Sequence, residues 1–439
     1  MNIILPLETA SRELHYKIHL CQTLSSYGFK CYLGRKAYTE YLIKNMRNYI
    51  YLDKGYHKGF SEKTYQVIKK NNGLIVSLDE EGAIDYKNNT TLLNVRYPKE
   101  MLNSVDYTFL WGKYQFNLLD ENIKHKKKLY VTGHPRFTLL KQPYHHLYEN
   151  EVNNIKAKFG KFVLVNTNMG KGNNIRGHKF IIDNYGKKYS DIEAIAKYNK
   201  DKVKHFISLI KEISNKLNKR IVVRPHPEEA SHTYSRAFKD DKNISVIFEG
   251  LVIPWILASE VMIHADCTTA IESVFLGKKP ISFIPNHNPA YVSPVPVKVS
   301  SQFDCKNKVV EYIRNMPDKA DLITKDDITY LENYFSHSKN SIKAVTERLN
   351  AIRLAADFRY HSRLSFSDLF KLYLKSLKLS SDYILDRNRL SKNKLNTFND
   401  AEVRKMCHLF NQTNTEFRKN KVTKIVEKLY LFERDNNFK

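Results

Sequence analysis

The residues whose types and spacing best suit chemistry are Arg224-Pro225-His226-Pro227-Glu228-Glu229, which follow an apolar run at 220–224 that reads as a β-strand. A proline on each side of His226 stiffens the loop and fixes the imidazole at the strand end. Arg224 and His226 can hold a phosphate there through charge-assisted hydrogen bonds; the plainer alternative is a proline-rich turn with an exposed histidine. Further on, His264-Ala265-Asp266-Cys267-Thr268-Thr269-Ala270-Ile271-Glu272-Ser273 ends a second strand in a hydroxyl-bearing turn that opens a helix. Hydroxyls and free backbone N–H groups converge in such a turn and suit an anion. Glu272 can accept from a ribose or sugar hydroxyl, or serve only as the N3 half of a capping box with Thr269.

A carboxylate that takes a proton from an acceptor hydroxyl is the other part an inverting transfer needs. Asp79-Glu80-Glu81-Gly82 forms an acidic turn after the apolar run 73–78, and Glu81, then Glu80, are the expected base; otherwise the turn is only an acidic surface. Glu8, Ser11 and Arg12 follow the first apolar run, where they can contact an acceptor or simply cap the next helix, with Ser11 as N-cap. His134, Arg136, Asn166 and Asn168 flank a polar stretch between two halves of the chain and are expected to line a cleft from both sides. The phosphate loop GxxxxGK[ST], HExxH and GxSxG are absent, and Gly170-Lys171-Gly172 lacks the third glycine of a dinucleotide fingerprint. The Asp pairs at 240–241 and 326–327 sit in polar stretches, so no metal is expected, and no cofactor beyond a nucleotide-activated co-substrate. A leaving phosphate must then be stabilised by cations and helix N-termini around Arg224, His226 and Thr269.

The stretch 220–285 resembles the nucleotide-binding half of bacterial capsule and lipopolysaccharide glycosyltransferases. It is most similar to those using CMP-activated ulosonic acids (Kdo- and sialic-type), through His226-Pro227, the Thr268-Thr269 turn and Gly277-Lys278-Lys279-Pro280. CDP-polyol phosphotransferases of the teichoic acid type look similar too, but carry a serine pair where this chain has Thr268-Thr269. The resemblance implies that His226 binds the donor phosphate, that Thr268 and Thr269 hold the phosphate or a donor carboxylate, and that Glu272 contacts the nucleotide; Arg224 and Glu228 belong with this donor set. In the N-terminal half, Leu5-Pro6-Leu7-Glu8, Ser11-Arg12-Glu13, Asp53-Lys54-Gly55, 78–82 and 132–137 resemble surface carbohydrate biosynthesis proteins. The implied activity is that of an inverting, metal-independent glycosyltransferase of GT-B architecture, moving a sugar from a CMP donor to a glycan or lipid-linked acceptor. Rivals are a CDP-polyol phosphotransferase, a nucleotide-sugar epimerase, and a non-catalytic polysaccharide-assembly factor that keeps the fold.

The elements that must position these residues alternate along the chain. Strands are predicted at 2–7, 30–33, 49–52, 73–78, 107–111 and 128–132, with helices at 11–27, 38–46 and 61–70 between them. A second series has strands at 162–166, 220–224, 245–248, 261–264 and 280–284 and helices at 201–217, 254–259 and 269–276. This predicts an α/β protein: two Rossmann-like domains facing a cleft, 1–141 for the acceptor and 162–330 for the nucleotide donor, joined by a linker at 142–161. From 331 to 439 the pattern turns helical and basic; residues 353–439 hold 19 Lys and Arg against 10 Asp and Glu. That extension is a helical subdomain with a solvated basic face, or a surface for the anionic inner leaflet.

A chain of 439 residues exceeds one ordinary core, and 42% hydrophobic with 12% aromatic residues argues for globular structure throughout. The formal net charge of +26 calls for an anionic partner, although lysine- and asparagine-rich usage across the whole chain dilutes that signal. Zinc-finger, RNP-like and helix-turn-helix signatures are missing, so nucleic acid is not the expected partner. Five scattered cysteines without a CxxC pair argue against a disulfide framework. Together with the short apolar start at 1–7, which lacks a basic lead and reads as a buried strand, this makes the expected location cytoplasmic, with peripheral attachment to the inner membrane the open alternative.

Overall fold

Apolar runs such as Asn2–Leu7, buried along their whole length, can only be sheet interior when helices cover both faces. The computed structural model describes residues 1–435 apart from 83, 86–88, 90, 121–127, 187–188, 249, 317–322, 357–361 and 385–393. The chain divides into two compact units: unit 1 takes Met1–Ala83, Thr90–Leu139 and Glu332–Lys439, and unit 2 takes Ile84–Asn89 and Leu140–Leu331.

Unit 1 contains β1 (Asn2–Leu7), β2 (Lys30–Arg35), β3 (Tyr49–Asp53), β4 (Leu74–Ser77), β5 (Tyr107–Leu110) and β6 (Leu129–Val131). They run parallel in the order β2-β1-β3-β4-β5-β6. The order changes direction between β1 and β3, so the ends of these two strands leave a crevice at which α/β sheets bind ligands. Tyr38, Leu42, Tyr65 and Ile68, from the helices Lys36–Asn45 and Ser61–Lys70, pack on Tyr49, Tyr51 and Ile75 of the sheet.

Unit 2 contains β7 (Phe162–Asn166), β8 (Arg220–Arg224), β9 (Ile244–Val246), β10 (Val261–His264), β11 (Ile281–Phe283) and β12 (Ser301–Phe303). All are parallel, in the order β12-β11-β10-β7-β8-β9. Counted within the unit this is 3-2-1-4-5-6, the Rossmann order, with its switch point between β7 and β10. Val163, Val165, Ile221, Val223 and Ile263 meet Phe206, Leu209, Ile210 and Ile213 of the helix Ile192–Leu217 in the core.

Three expectations are corrected. The polar stretch 142–161 is not a free linker: Gln142–Tyr148 and Glu149–Phe159 are helical members of unit 2, and Phe159 packs against Trp255 with ring centroids 5.4 Å apart. The helix expected at 201–217 starts at Ile192, because Ile192, Ile195 and Ala196 continue the apolar stripe through a polar surface sequence. The tail is neither wholly helical nor an appendage. Beyond the helices Ser341–Ala355, Phe366–Ile384 and Asp400–Thr413, strands β13 (Asn420–Val426) and β14 (Leu429–Arg434) form a hairpin whose second strand pairs antiparallel with β2, Leu429 opposite Gly34 and Leu431 opposite Tyr32. Leu429, Tyr430 and Phe432 are buried there, so the C-terminal strands complete the sheet of unit 1. Parts of the basic tail, at 357–361, 385–393 and 436–439, lie outside the described residues.

Candidate functional site

At the switch point of unit 2, β7 ends in Asn166 and β10 is followed by Asp266-Cys267-Thr268-Thr269. Asn166 donates through Nδ2 to Thr269 Oγ1 at 3.3 Å, tying the strand end to the start of the helix Thr269–Phe275. Asp266 is buried and accepts from Asn168 Nδ2 at 3.0 Å, Lys202 Nζ at 3.0 Å and the Ser293 N–H at 3.1 Å. Burial opposes its ionisation, but the Lys202 ammonium outweighs it and holds the carboxyl below the usual carboxylate range. Three loops are thus pinned around one buried anion.

The β8 loop is pinned in the same manner by Glu229. That carboxylate accepts from Thr167 Oγ1 at 2.7 Å, the Met169 N–H at 3.0 Å, the His226 N–H at 3.3 Å and the Tyr234 hydroxyl at 2.6 Å. With its scaffold fixed, His226 stands exposed at the strand end, and its Nδ1 accepts from the Glu228 N–H at 3.2 Å. In the neutral ring the proton therefore sits on Nε2. Arg224 donates to Gly250 O at 2.9 Å, with its guanidinium carbon 5.0 Å from the Trp255 ring centroid; burial brings its pKa down to about 10. Thr268 is exposed as the N-cap and makes no side-chain cap bond there. His264 is structural: Nε2 bonds Ser300 Oγ at 2.8 Å, Nδ1 accepts from the Cys267 N–H, and burial drops its pKa to about 3.

Unit 1 gathers charge at its own switch point. Glu8, after β1, and Lys54, after β3, pair at 3.1 Å across it. Glu13 is fully buried in the helix Ala10–Ser26 and accepts from the Glu8 and Thr9 N–H groups at 3.2 and 3.0 Å and from Lys17 at 2.7 Å. It does the work expected of Ser11, which is exposed and is not the N-cap; that position is Thr9. Glu80 is buried, receives the Tyr16 hydroxyl and lies 3.2 Å from Lys17. Burial opposes its ionisation, but Lys17 and Arg12 hold it below the usual range. His134 Nδ1 accepts from the Arg136 N–H, so the neutral ring carries its proton on Nε2, 3.5 Å from Glu80 Oε2. Burial keeps that ring neutral. Arg136 stacks on Trp111 and Phe137. Glu81 reaches solvent but pairs with Arg12 at 3.0 Å and with Arg96; burial resists, yet the two guanidinium groups hold its carboxyl at about 2.

Of the expected residues, Glu8, Arg12, Glu80, Glu81, His134 and Arg136 therefore share one edge of unit 1. Asn166 and Asn168, expected with His134 and Arg136 to line a cleft, share an edge of unit 2 with Arg224, His226, Glu228, Thr268 and Thr269; Glu272 lies one turn into the helix. Glu80 is committed to Tyr16 and Lys17, and Glu81 is held ionised by its pairs with Arg12 and Arg96, so a base role for Glu81 requires those guanidinium groups to be drawn off it. Sequence reasoning missed Glu13, Glu229, Lys202 and Asp266 as organising charges. The Glu13–Lys17 spacing of four was the available signal for one of them. Among the described residues no group of His, Cys, Asp and Glu is arranged to hold a metal ion. Nor is any helix among them long and apolar enough to cross a membrane.

No protein-family model matches the chain, and no curated protein matches it. Among solved structures, the UDP-GlcNAc 2-epimerase of Methanocaldococcus jannaschii in complex with UDP-GlcNAc and UDP is similar at 14% identity and TM-score 0.49, over 81% of this chain and 100% of that one. The wall teichoic acid polymerase TagF is similar at 11% identity and TM-score 0.46, over 81% and 89%. The UDP-GlcNAc 2-epimerase of Neisseria meningitidis bound to UDP-GlcNAc is similar at 13% identity and TM-score 0.47, over 81% and 100%.

Proposed function

We propose that the chain is a transferase for surface polysaccharide assembly, in which unit 2 holds a nucleotide-activated donor and unit 1 receives a glycan or lipid-linked acceptor. The observation that carries this reading is the 3-2-1-4-5-6 sheet of unit 2, with Asn166, His226, Thr268 and Thr269 on the strand ends at and beside its switch point. His226, on a loop immobilised by Glu229, donates to the leaving phosphate, and the Thr268 and Thr269 hydroxyls share that charge. Arg224, at the end of β8, is the cation given to a second anionic group of the donor, such as the carboxylate of an ulosonic acid on a CMP carrier. Glu81 is the solvent-facing carboxylate of unit 1; it takes the acceptor proton once an anionic acceptor draws Arg12 and Arg96 away from it.

The test is a thermal-shift titration of the whole chain with CMP, CDP and UDP, with and without chelator. A ligand at a hundredfold its Kd stabilises the unit it binds by about 2.7 kcal/mol. A chelator-insensitive shift with CMP, lost in His226→Ala, is expected. Preference for CDP moves the donor to a polyol phosphate, and preference for UDP to an ordinary hexose. No shift with any nucleotide overturns the reading.

A further inference from the structure

The helix Phe366–Ile384 uses only one side to hold on to unit 1. Leu372 is fully buried and Leu379 packs on the core. Asp368 accepts from the Tyr41 hydroxyl at 2.9 Å and from Ser365, and Lys375 donates to Ala37 O at 2.6 Å. The opposite side carries Phe366, Leu369, Phe370, Tyr373, Leu374 and Leu377, spaced by three and four residues into one stripe, and these are between 38% and 92% exposed. Exposed hydrophobics occurring singly need no explanation, but six contiguous ones along one helix do. The stripe is interrupted by no charge. Lys371 and Lys378 stand exposed along one border, and Lys44 is exposed on the neighbouring helix Lys36–Asn45; on β13, the other element beside it, Lys424 pairs with Glu427 at 2.7 Å.

We propose that this face docks on an anionic lipid surface, with the helix lying in the plane of the interface. An apolar stripe of Phe, Tyr and Leu edged by lysines is the pattern of an interfacial helix: the apolar side enters the headgroup boundary while the ammonium groups meet lipid phosphate. The charge of the surroundings commits the choice of occupant. Lysines on the helix and on the neighbouring helix Lys36–Asn45 suit a uniformly negative plane, and the chain as a whole carries +26. The acidic Asp368 is turned inward onto Tyr41, out of the way of such a plane. The proposal stands apart from the nucleotide site, which involves other residues in the other unit.

The experiment is sedimentation of the full chain with vesicles of phosphatidylcholine alone and with about a third phosphatidylglycerol, at low and high salt. Binding to the anionic vesicles only, weakened by salt, is expected. Phe370→Ser with Leu374→Ser should weaken partitioning about tenfold or more, and Lys371→Glu with Lys378→Glu should abolish the preference for anionic lipid. All four positions are exposed, so the melting temperature and nucleotide response of both variants should match the parent. Absence of vesicle binding, or binding that ignores both variants, overturns the proposal. So does a parent that sediments as a dimer and becomes monomeric in Phe370→Ser/Leu374→Ser, because the face is then an interface between copies.

Discussion

Lys202→Met isolates the buried ion pair that holds the switch-point loops of unit 2. In the parent, Lys202 Nζ lies 3.0 Å from Asp266 Oδ1, with both residues under a tenth exposed. The methionine keeps most of the stem volume and removes the cation, which leaves Asp266 with only the Asn168 amide and the Ser293 N–H as donors. Breaking a buried pair from one side costs about 3–5 kcal/mol, because the remaining charge stays out of water without compensation. At about 3 kcal/mol per molar urea for a unit of this size, the midpoint should fall by about 1–1.7 M. The chain has two tryptophans, Trp111 in unit 1 and Trp255 in unit 2, so fluorescence in a Trp111→Phe background reports unit 2 alone. Acid supplies an internal check. In the parent the folded pKa of Asp266 is depressed, so its contribution is present above about 3.9 and lost as pH falls through the folded value. Without Lys202 the folded pKa rises above the unfolded one, and the contribution is instead fully present below about 3.9 and lost as pH rises. The cost of Lys202→Met should therefore be largest at pH 7 and shrink by pH 4, and adding Asp266→Asn should recover part of it at pH 7. A cost below about 1 kcal/mol at pH 7, or one that does not change with pH, would refute the view that this pair is desolvated and holds the loops.

Burial, resisted by the Tyr65 hydrogen bond and aided by Asp79, pushes Asp53 up to about 6. A raised carboxyl contributes stability that is full below about 3.9 and lost as pH rises through about 6, so Asp53→Asn should be more stable than the parent at pH 8 by up to about 2–3 kcal/mol, read as a higher melting temperature. Melting curves that stay parallel from pH 5 to 8 would reject this. A Cβ on Gly172 would stand 2.2 Å from Lys200 N, in the backbone of the helix Ile192–Leu217, so Gly172→Ala should cost about 1–3 kcal/mol and weaken nucleotide binding by shifting the β7 loop. Gly170→Ala, whose nearest neighbour is Glu228 Cβ at 3.4 Å, is the near-neutral control; equal melting of the two variants would count against a loop seated on the helix.

The alternation of apolar runs with amphipathic stretches was enough to place β1 to β6, β7, β8 and β10 within a residue or two, because a buried parallel strand must be apolar along its whole length. The places of the two candidate loops were legible for a related reason: His226 and Thr268 follow the ends of such strands. What stayed hidden depends on contacts remote in sequence. Glu228 and Glu229 are chemically identical neighbours, and only Thr167 and Tyr234, brought in from other segments, decide that Glu229 is the buried one. Ser11 has the better N-cap chemistry, yet Glu13 and Lys17 form the bonds because they lie on the face of the helix turned towards the strand ends. Strand β14 lies among basic residues, and its burial is set by Gly34, which lets Leu429 approach β2. The acidity of Glu81 likewise needs Arg12 and Arg96, one from either side of it in sequence.

The placement of β13 and β14 has a consequence for synthesis. Unit 2 is drawn almost entirely from one continuous stretch, Leu140–Leu331, so it can fold as soon as that stretch has left the ribosome. Unit 1 cannot. Its first strands emerge early, but the free edge of β2 is covered only when Leu429–Arg434 arrives, nearly four hundred residues later. Until then a nascent chain carries an open parallel sheet with an unpaired edge, the kind of surface that captures other strands. A premature stop that removed only the final hairpin would thus spare the candidate nucleotide site in unit 2 and leave a protein prone to aggregate through unit 1.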